Sequence, residues 1–233
     1  MQRYFSLPVV LKFILLLLFF QTFSVQGDVE VGVSYRKAAK EYRFTILTDD
    51  PLPSHLQGEV LSVVEIEEEL DRFFSALREL GVNFVRKSGL RKVMICRNLS
   101  NKGVLISGHT FRDCIYLNIN FTAKTVYHEM FHVLDGRKTD RKWNRLNNPG
   151  FRYGIRGCDK YSPDFVSDYA RSREREDRAE TFAFMVDEGS NFLKRTVNSK
   201  ILYRKMLYII ELTGRNSLLG KNYWLNKLGT YWQ

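Results

Sequence analysis

Cysteine and histidine are scarce in this 233-residue chain, which has three of the first and four of the second. Cys96, Cys114 and Cys158 stand far apart in sequence, so no C-x-x-C pair exists to grip a metal through thiolates. An odd number cannot all pair within one chain; Cys96 and Cys114 fall in segments read as neighbouring strands and could bridge. Long hydrophobic runs are also missing. The leading apolar stretch Phe13–Phe20 is too short for a helix across a bilayer of roughly 30 Å. It follows the basic residues Arg3 and Lys12 and precedes small and polar residues up to Gly27. Residues 1–27 therefore read as an export signal, and 28–233 as a single domain. Extending the apolar stretch back over Val10 and Leu11 leaves an uncleaved anchor open, but no stable membrane insertion is expected once the signal is cut. No cysteine lies near the expected cut, so a lipid-anchored lipoprotein is not indicated.

A basic tract interleaved with aromatics is absent too. The net charge of +10 is spread along the chain, which describes a solvated basic surface rather than a nucleic-acid partner. No internal repeat or low-complexity tract follows the leader. Asn98 and Asn120 open Asn-x-Ser/Thr sequons, which matter only in a eukaryotic source.

Within the domain, residues 42–48 alternate and carry β-favouring types, so they read as a strand ended by Asp49-Asp50-Pro51. Val63, Ile66, Leu70, Phe73, Phe74 and Leu77 recur at helical spacing, which predicts an amphipathic helix over 60–80 capped by Gly81. Strands are expected at 91–97, 104–107 and 113–119, joined by turns at Asn101, Gly103 and Gly108. From residue 121 the pattern is helical, except for a loop between Gly136 and Asp168. A loop of that length in a compact domain tends to be functional. Strands first and helices afterwards indicate an α+β fold.

Two of the four histidines, His128 and His132, lie four apart with Glu129 between them. On a helix they project from one face a turn apart, as two imidazoles must to hold one ion. Zinc brings the pKa of a bound water toward about 7, and a carboxylate in reach can then move its proton. The other side of this helix carries Val126, Tyr127, Met130, Val133 and Leu134, so it packs in a core and its polar stripe needs partners. A catalytic zinc site wants a third protein ligand. A third histidine six residues on, as in metzincins, is excluded because position 138 is Lys. The acidic run 174–183 opens a helix expected around 174–188, which sets Glu176, Glu180 and Asp187 on one face, with Ala179 and Ala183 beside them to permit close helix packing. Asp177, Arg178 and Glu188 read as a separate polar face.

The stretch His128-Glu129-Met130-Phe131-His132-Val133-Leu134-Asp135, followed by Tyr169-Ala170-Arg171 and Glu176-Asp177-Arg178-Ala179-Glu180, resembles a gluzincin zinc metallopeptidase. The similarity is to the branch that holds the catalytic domain of anthrax lethal factor and bacterial zinc-binding metallopeptidases, and it covers roughly residues 120–190. The segment Trp143–Gly154 also looks like the stretch after the zinc helix in the bacterial relatives. The resemblance implies a zincin-like α+β domain in which His128, His132 and Glu176 hold one Zn2+. It also implies that Glu180 steadies a ligand imidazole and that Asp135, on the histidine face, does likewise. Glu129 would be general base and then acid, and Tyr169 would donate to the developing oxyanion, with Tyr153 and Tyr161 as nearby rivals. His109, alone near a turn, is left outside the site. The expected activity is a secreted or extracytoplasmic zinc endopeptidase, in the periplasm or at the cell surface, acting on a peptide or protein substrate. A catalytically silent zinc-containing binding module is the alternative. The sequence does not fix the oligomeric state.

Overall fold

A computed structural model describes residues 31–136, 140–154, 162–215 and 217–229. The expected leader, Cys158 and Tyr161 lie outside the described residues. In chain order the elements are α1 (Val33–Tyr42), β1 (Thr45–Leu47), β2 (Leu56–Glu59), α2 (Val63–Leu80), α3 (Val82–Ser88), β3 (Lys92–Asn101), β4 (Val104–Leu105), β5 (Gly108–Phe111) and β6 (Cys114–Asn118). Helices follow: α4 (Ala123–Asp135), α5 (Arg141–Asn144), a single 3-10 turn at Tyr169–Arg171, α6 (Glu174–Glu188), α7 (Ser190–Thr196), α8 (Lys200–Arg215) and α9 (Lys221–Leu228). The order helix, strands, helices, strands, then helices only makes an α+β fold. Among the described residues no helix is long and apolar enough to cross a membrane.

The sheet runs β1-β3-β6-β5, with β1, β3 and β6 parallel and β5 antiparallel on β6. The far half of β3 pairs with β2 and β4. The strand expected at 42–48 shrinks to β1, because Tyr42 closes α1 and Arg43 takes a left-handed conformation that ends the helix. The strand expected at 104–107 is also revised. Val104–Leu105 only touches β3, and Gly108, read as a turn residue, opens the edge strand β5. The parallel register sets Lys92 opposite Cys114 and Cys96 opposite Asn118. Four residues of strand is about 13 Å, beyond the roughly 7 Å between Cα atoms that a disulfide spans. Both thiols are free and buried, so the possible Cys96–Cys114 bridge does not form.

Helix α2 begins at a capping box, in which Ser62 and Glu65 satisfy each other's backbone N–H, and it buries Ile66, Leu70, Phe73, Phe74 and Leu77 against the sheet and α4. Its one buried acid, Glu69, accepts from the backbone N–H of Asn120 at 3.1 Å. Asn120 is left-handed at φ 61. This bond fixes the turn from β6 into α4, and so where α4 starts. Thr122 caps α4 by accepting from Thr125 N–H.

Helix α6 crosses α4 with Phe182 against Phe131 at a centroid distance of 5.0 Å, and Ala179 and Ala183 are wholly buried. Asp177 and Arg178 do not form a solvated face. Both are fully buried, each neutralised by a partner from another helix: Lys205 of α8 for Asp177 and Asp135 of α4 for Arg178. That inversion ties α6 down on two sides and leaves Glu176 and Glu180 facing α4.

Candidate metal centre and active site

The last turns of α4 and the first turns of α6 bring three donors together. Glu176 Oε2 lies 3.2 Å from His128 Nε2 and 3.0 Å from His132 Nε2, and these donor atoms lie within 4.8 Å of one another. His128 Nδ1 is 2.8 Å from Glu180 Oε1, and Ser167 donates to the other oxygen of Glu180 at 2.6 Å. With the His128 proton committed to Glu180, the lone pair on Nε2 faces a carboxylate oxygen. Two acceptors at that distance repel unless a cation joins them.

The electrostatics show the same demand. Burial works against a charged His128, but hydrogen bonds to Glu176 and Glu180 outweigh it and push its pKa up to about 10. Burial would raise the Glu176 carboxyl, yet hydrogen bonds from the two imidazoles hold it well below the usual carboxylate range. The Glu180 carboxyl is lowered in the same way, against burial, by His128 and then Ser167. Without a metal the site keeps a proton where a cation belongs. Two imidazole nitrogens and one carboxylate oxygen suit Zn2+.

Asp135 does not reach an imidazole. Its carboxylate accepts from Arg178 Nε at 3.0 Å and Nη2 at 2.6 Å, while Arg178 also binds Glu174. The outer nitrogen of His132, Nδ1, is buried without a partner. Asp135 therefore acts on the position of α6 against α4 rather than on a ligand ring.

Glu129 is 5% exposed and accepts from the Thr110 hydroxyl at 2.7 Å. The edge strand passes over it so closely that a Cβ on Gly108 would stand 2.9 Å from Glu129 Cγ. Sequence reading missed both partners, because Gly108 looks like a turn and Thr110 falls between the two expected strands. Tyr169 places its ring centroid 5.9 Å from that of His128. Desolvation at the hydroxyl end, followed by the fields of Glu176 and Glu129, holds this phenol protonated, although the residue as a whole is 56% exposed. The rival Tyr153 is spent: its hydroxyl donates to Asp177 at 2.7 Å.

The loop before Tyr169 is fastened from beneath. Lys205 meets Asp177 at 2.8 Å and donates to the Asp164 carbonyl at 3.0 Å, and its ammonium sits 3.5 Å from the Phe165 centroid. Trp143 Nε1 donates to the same Asp177 carboxylate at 3.0 Å. The end of the loop thereby delivers Ser167 to Glu180 and Tyr169 to the cleft. That cleft, about 290 Å3, is walled by Ile106, Ser107 and Gly108 on the strand side, by Lys124, Thr125, His128 and Glu129 of α4, and by Tyr169 and Glu180. His109 is not among them; its Nε2 lies 3.3 Å from His55 Nε2.

Residues 102–226 match the family model described as putative zinc-binding metallo-peptidase. A solved structure of a putative zinc-binding metallo-peptidase from Bacteroides caccae superposes with a TM-score of 0.54 at 14% identity, covering 84% of this chain and 92% of that one. None of the curated proteins matches.

Proposed function

Since the chain belongs to the putative zinc-binding metallo-peptidase family, we propose that it is a secreted zinc-dependent endopeptidase. The observation that carries the reading is the convergence of the donor atoms of His128, His132 and Glu176, with His128 lining a cleft that also holds Glu129. His128, His132 and Glu176 would hold the ion. Bound there, zinc supplies a Lewis acid that polarises a carbonyl and makes water acidic near neutral pH.

The protein's own groups do the rest. Thr110 fixes one oxygen of Glu129, so the carboxylate is set to take a proton from the attacking water and return it to the leaving amine. The Tyr169 hydroxyl, kept protonated, donates toward the oxygen that gains charge. Glu180 and Ser167 hold the His128 ring in place. Among the described residues strand β5 pairs only with β6, and its other edge would take an extended peptide. Export rests on residues 1–27, whose removal N-terminal sequencing of the mature protein would reveal.

The test pairs metal content with activity. Wild type should hold one zinc per chain and cut a denatured-protein library in a chelator-sensitive way, and Glu129→Gln should keep the zinc and lose the cutting. A wild type without stoichiometric zinc would sink the proposal. Zinc without cleavage in either form would make the protein a binding module.

A further inference from the structure

We propose that Lys124 binds a substrate carboxylate beside the scissile bond, which gives the cleft a preference for an acidic side chain or a free C-terminus at that position. This rests on the peptidase reading above and names its substrate class.

Helix α4 places Lys124 four residues before His128, so Lys124, His128 and His132 form one row along the helix. Successive members are one turn, about 5–6 Å, apart. Lys124 and His128, neighbours in that row, both line the cleft. A peptide whose carbonyl sits at the metal ligands thus places the groups next to that carbonyl about one turn away, over Lys124.

The charges in the cleft are unequally engaged. Glu180 is held by His128 and Ser167, and Glu129 by Thr110. Lys124 is half-buried, and its ammonium makes no ion pair with any described carboxylate. Its charge does act on Glu180, whose carboxyl it helps to lower. The head group is held 4.1 Å from the ring centroid of Phe184, which is itself only 9% exposed. Arg195 shares that ring at 5.1 Å but is taken by Glu188 at 2.6 Å.

Lys124 is therefore a partly desolvated cation, already ordered by an aromatic platform, with donors left over. An ordered cation loses little further freedom on binding, and a carboxylate is the group that three ammonium donors satisfy best. The opposite wall, Ile106 and Ser107, carries no charge to compete.

The experiment uses the zinc-loaded protein and peptides that differ only at the two residues flanking the bond. Each is Glu, Gln or Lys, and each peptide has a free or an amidated C-terminus. Two readouts are taken: kcat/KM, and the Kd of the same peptides for zinc-loaded Glu129→Gln, which binds without turnover. Carboxylate peptides should be favoured about tenfold or more in both readouts; the Glu arm identifies a side-chain carboxylate and the free-acid arm a terminal one. Lys124→Gln should abolish the preference, Lys124→Glu should turn it toward Lys, and Lys124→Arg should retain it. Zinc content per chain verifies that each variant is folded. Equal use of Glu, Gln and Lys peptides together with equal use of free and amidated C-termini, or a preference that survives Lys124→Gln, would overturn the inference. A Lys124-dependent preference in binding without any cleavage would remove the peptidase reading and leave the carboxylate site standing.

Discussion

Lys205 and Asp177 form an ion pair at 2.8 Å with both side chains wholly buried. Asp177 directly follows Glu176, so one residue of α6 faces the two imidazoles of α4 and the next anchors the helix from behind. Burial lowers the pKa of the lysine and raises that of the acid, each opposed by the other's charge. Removing one partner strands the other. Lys205→Met is expected to destabilise the fold by about 3–5 kcal/mol, measured by urea unfolding. The double variant Lys205→Met with Asp177→Asn should recover much of that loss.

Ser167 touches no metal donor, yet its hydroxyl holds Glu180, which holds His128. Ser167→Ala and Glu180→Gln should weaken zinc binding about 10–100-fold, with Glu180→Gln the more severe. Competition with a chromogenic chelator reads this directly. Unchanged affinity in both would mean that the ring is held by packing alone.

Tyr169→Phe should lower kcat about 100-fold, within the range for losing one oxyanion donor, and leave zinc content unaltered. An unchanged kcat would move the donor role elsewhere, though not to Tyr153, whose hydroxyl is committed to Asp177.

Gly108→Ala adds a carbon 2.9 Å from both Glu129 Cγ and Thr125 Cγ2. Overpacking of this kind costs about 1–3 kcal/mol, and here it displaces either the edge strand or Glu129. Activity should fall more than zinc affinity, a difference that parallel kinetic and metal titrations would show.

Burial pushes the thiols of Cys96 and Cys114 up to about 11 from an ordinary 9.0. The unfolded thiols lose their protons first as pH rises. Their contribution to stability is therefore complete below pH 9 and declines as pH climbs through about 11. At pH 8 neither should react with a thiol reagent in the native protein, and both should react in denaturant. Rapid native labelling of either would contradict the buried strand positions.

Much of the helical half was legible beforehand. The spacing of Val63 to Leu77 gave α2, and the acidic run around Glu176 gave α6 at its observed bounds. The small edge strand was not legible, because four residues containing glycine and histidine carry no two-residue alternation to read. Nor could a local pattern show that Asp177 and Arg178 are interior. Charged residues in a row look solvated until Lys205 and Asp135, distant in sequence, neutralise them.

Local chemistry alone determined that His128 and His132 share one helical face, since a 3.6-residue repeat follows from backbone geometry. It also offered Glu176 and Glu180 as partners worth seeking, and the family resemblance chose Glu176 between them. Only the tertiary structure decided the hydrogen bonds around the metal donors: Glu180 takes the outer nitrogen of His128, while Asp135 leaves His132 for Arg178. Those choices depend on how α6 crosses α4, and that angle is set by buried alanines, an aromatic contact and two buried ion pairs drawn from across the chain.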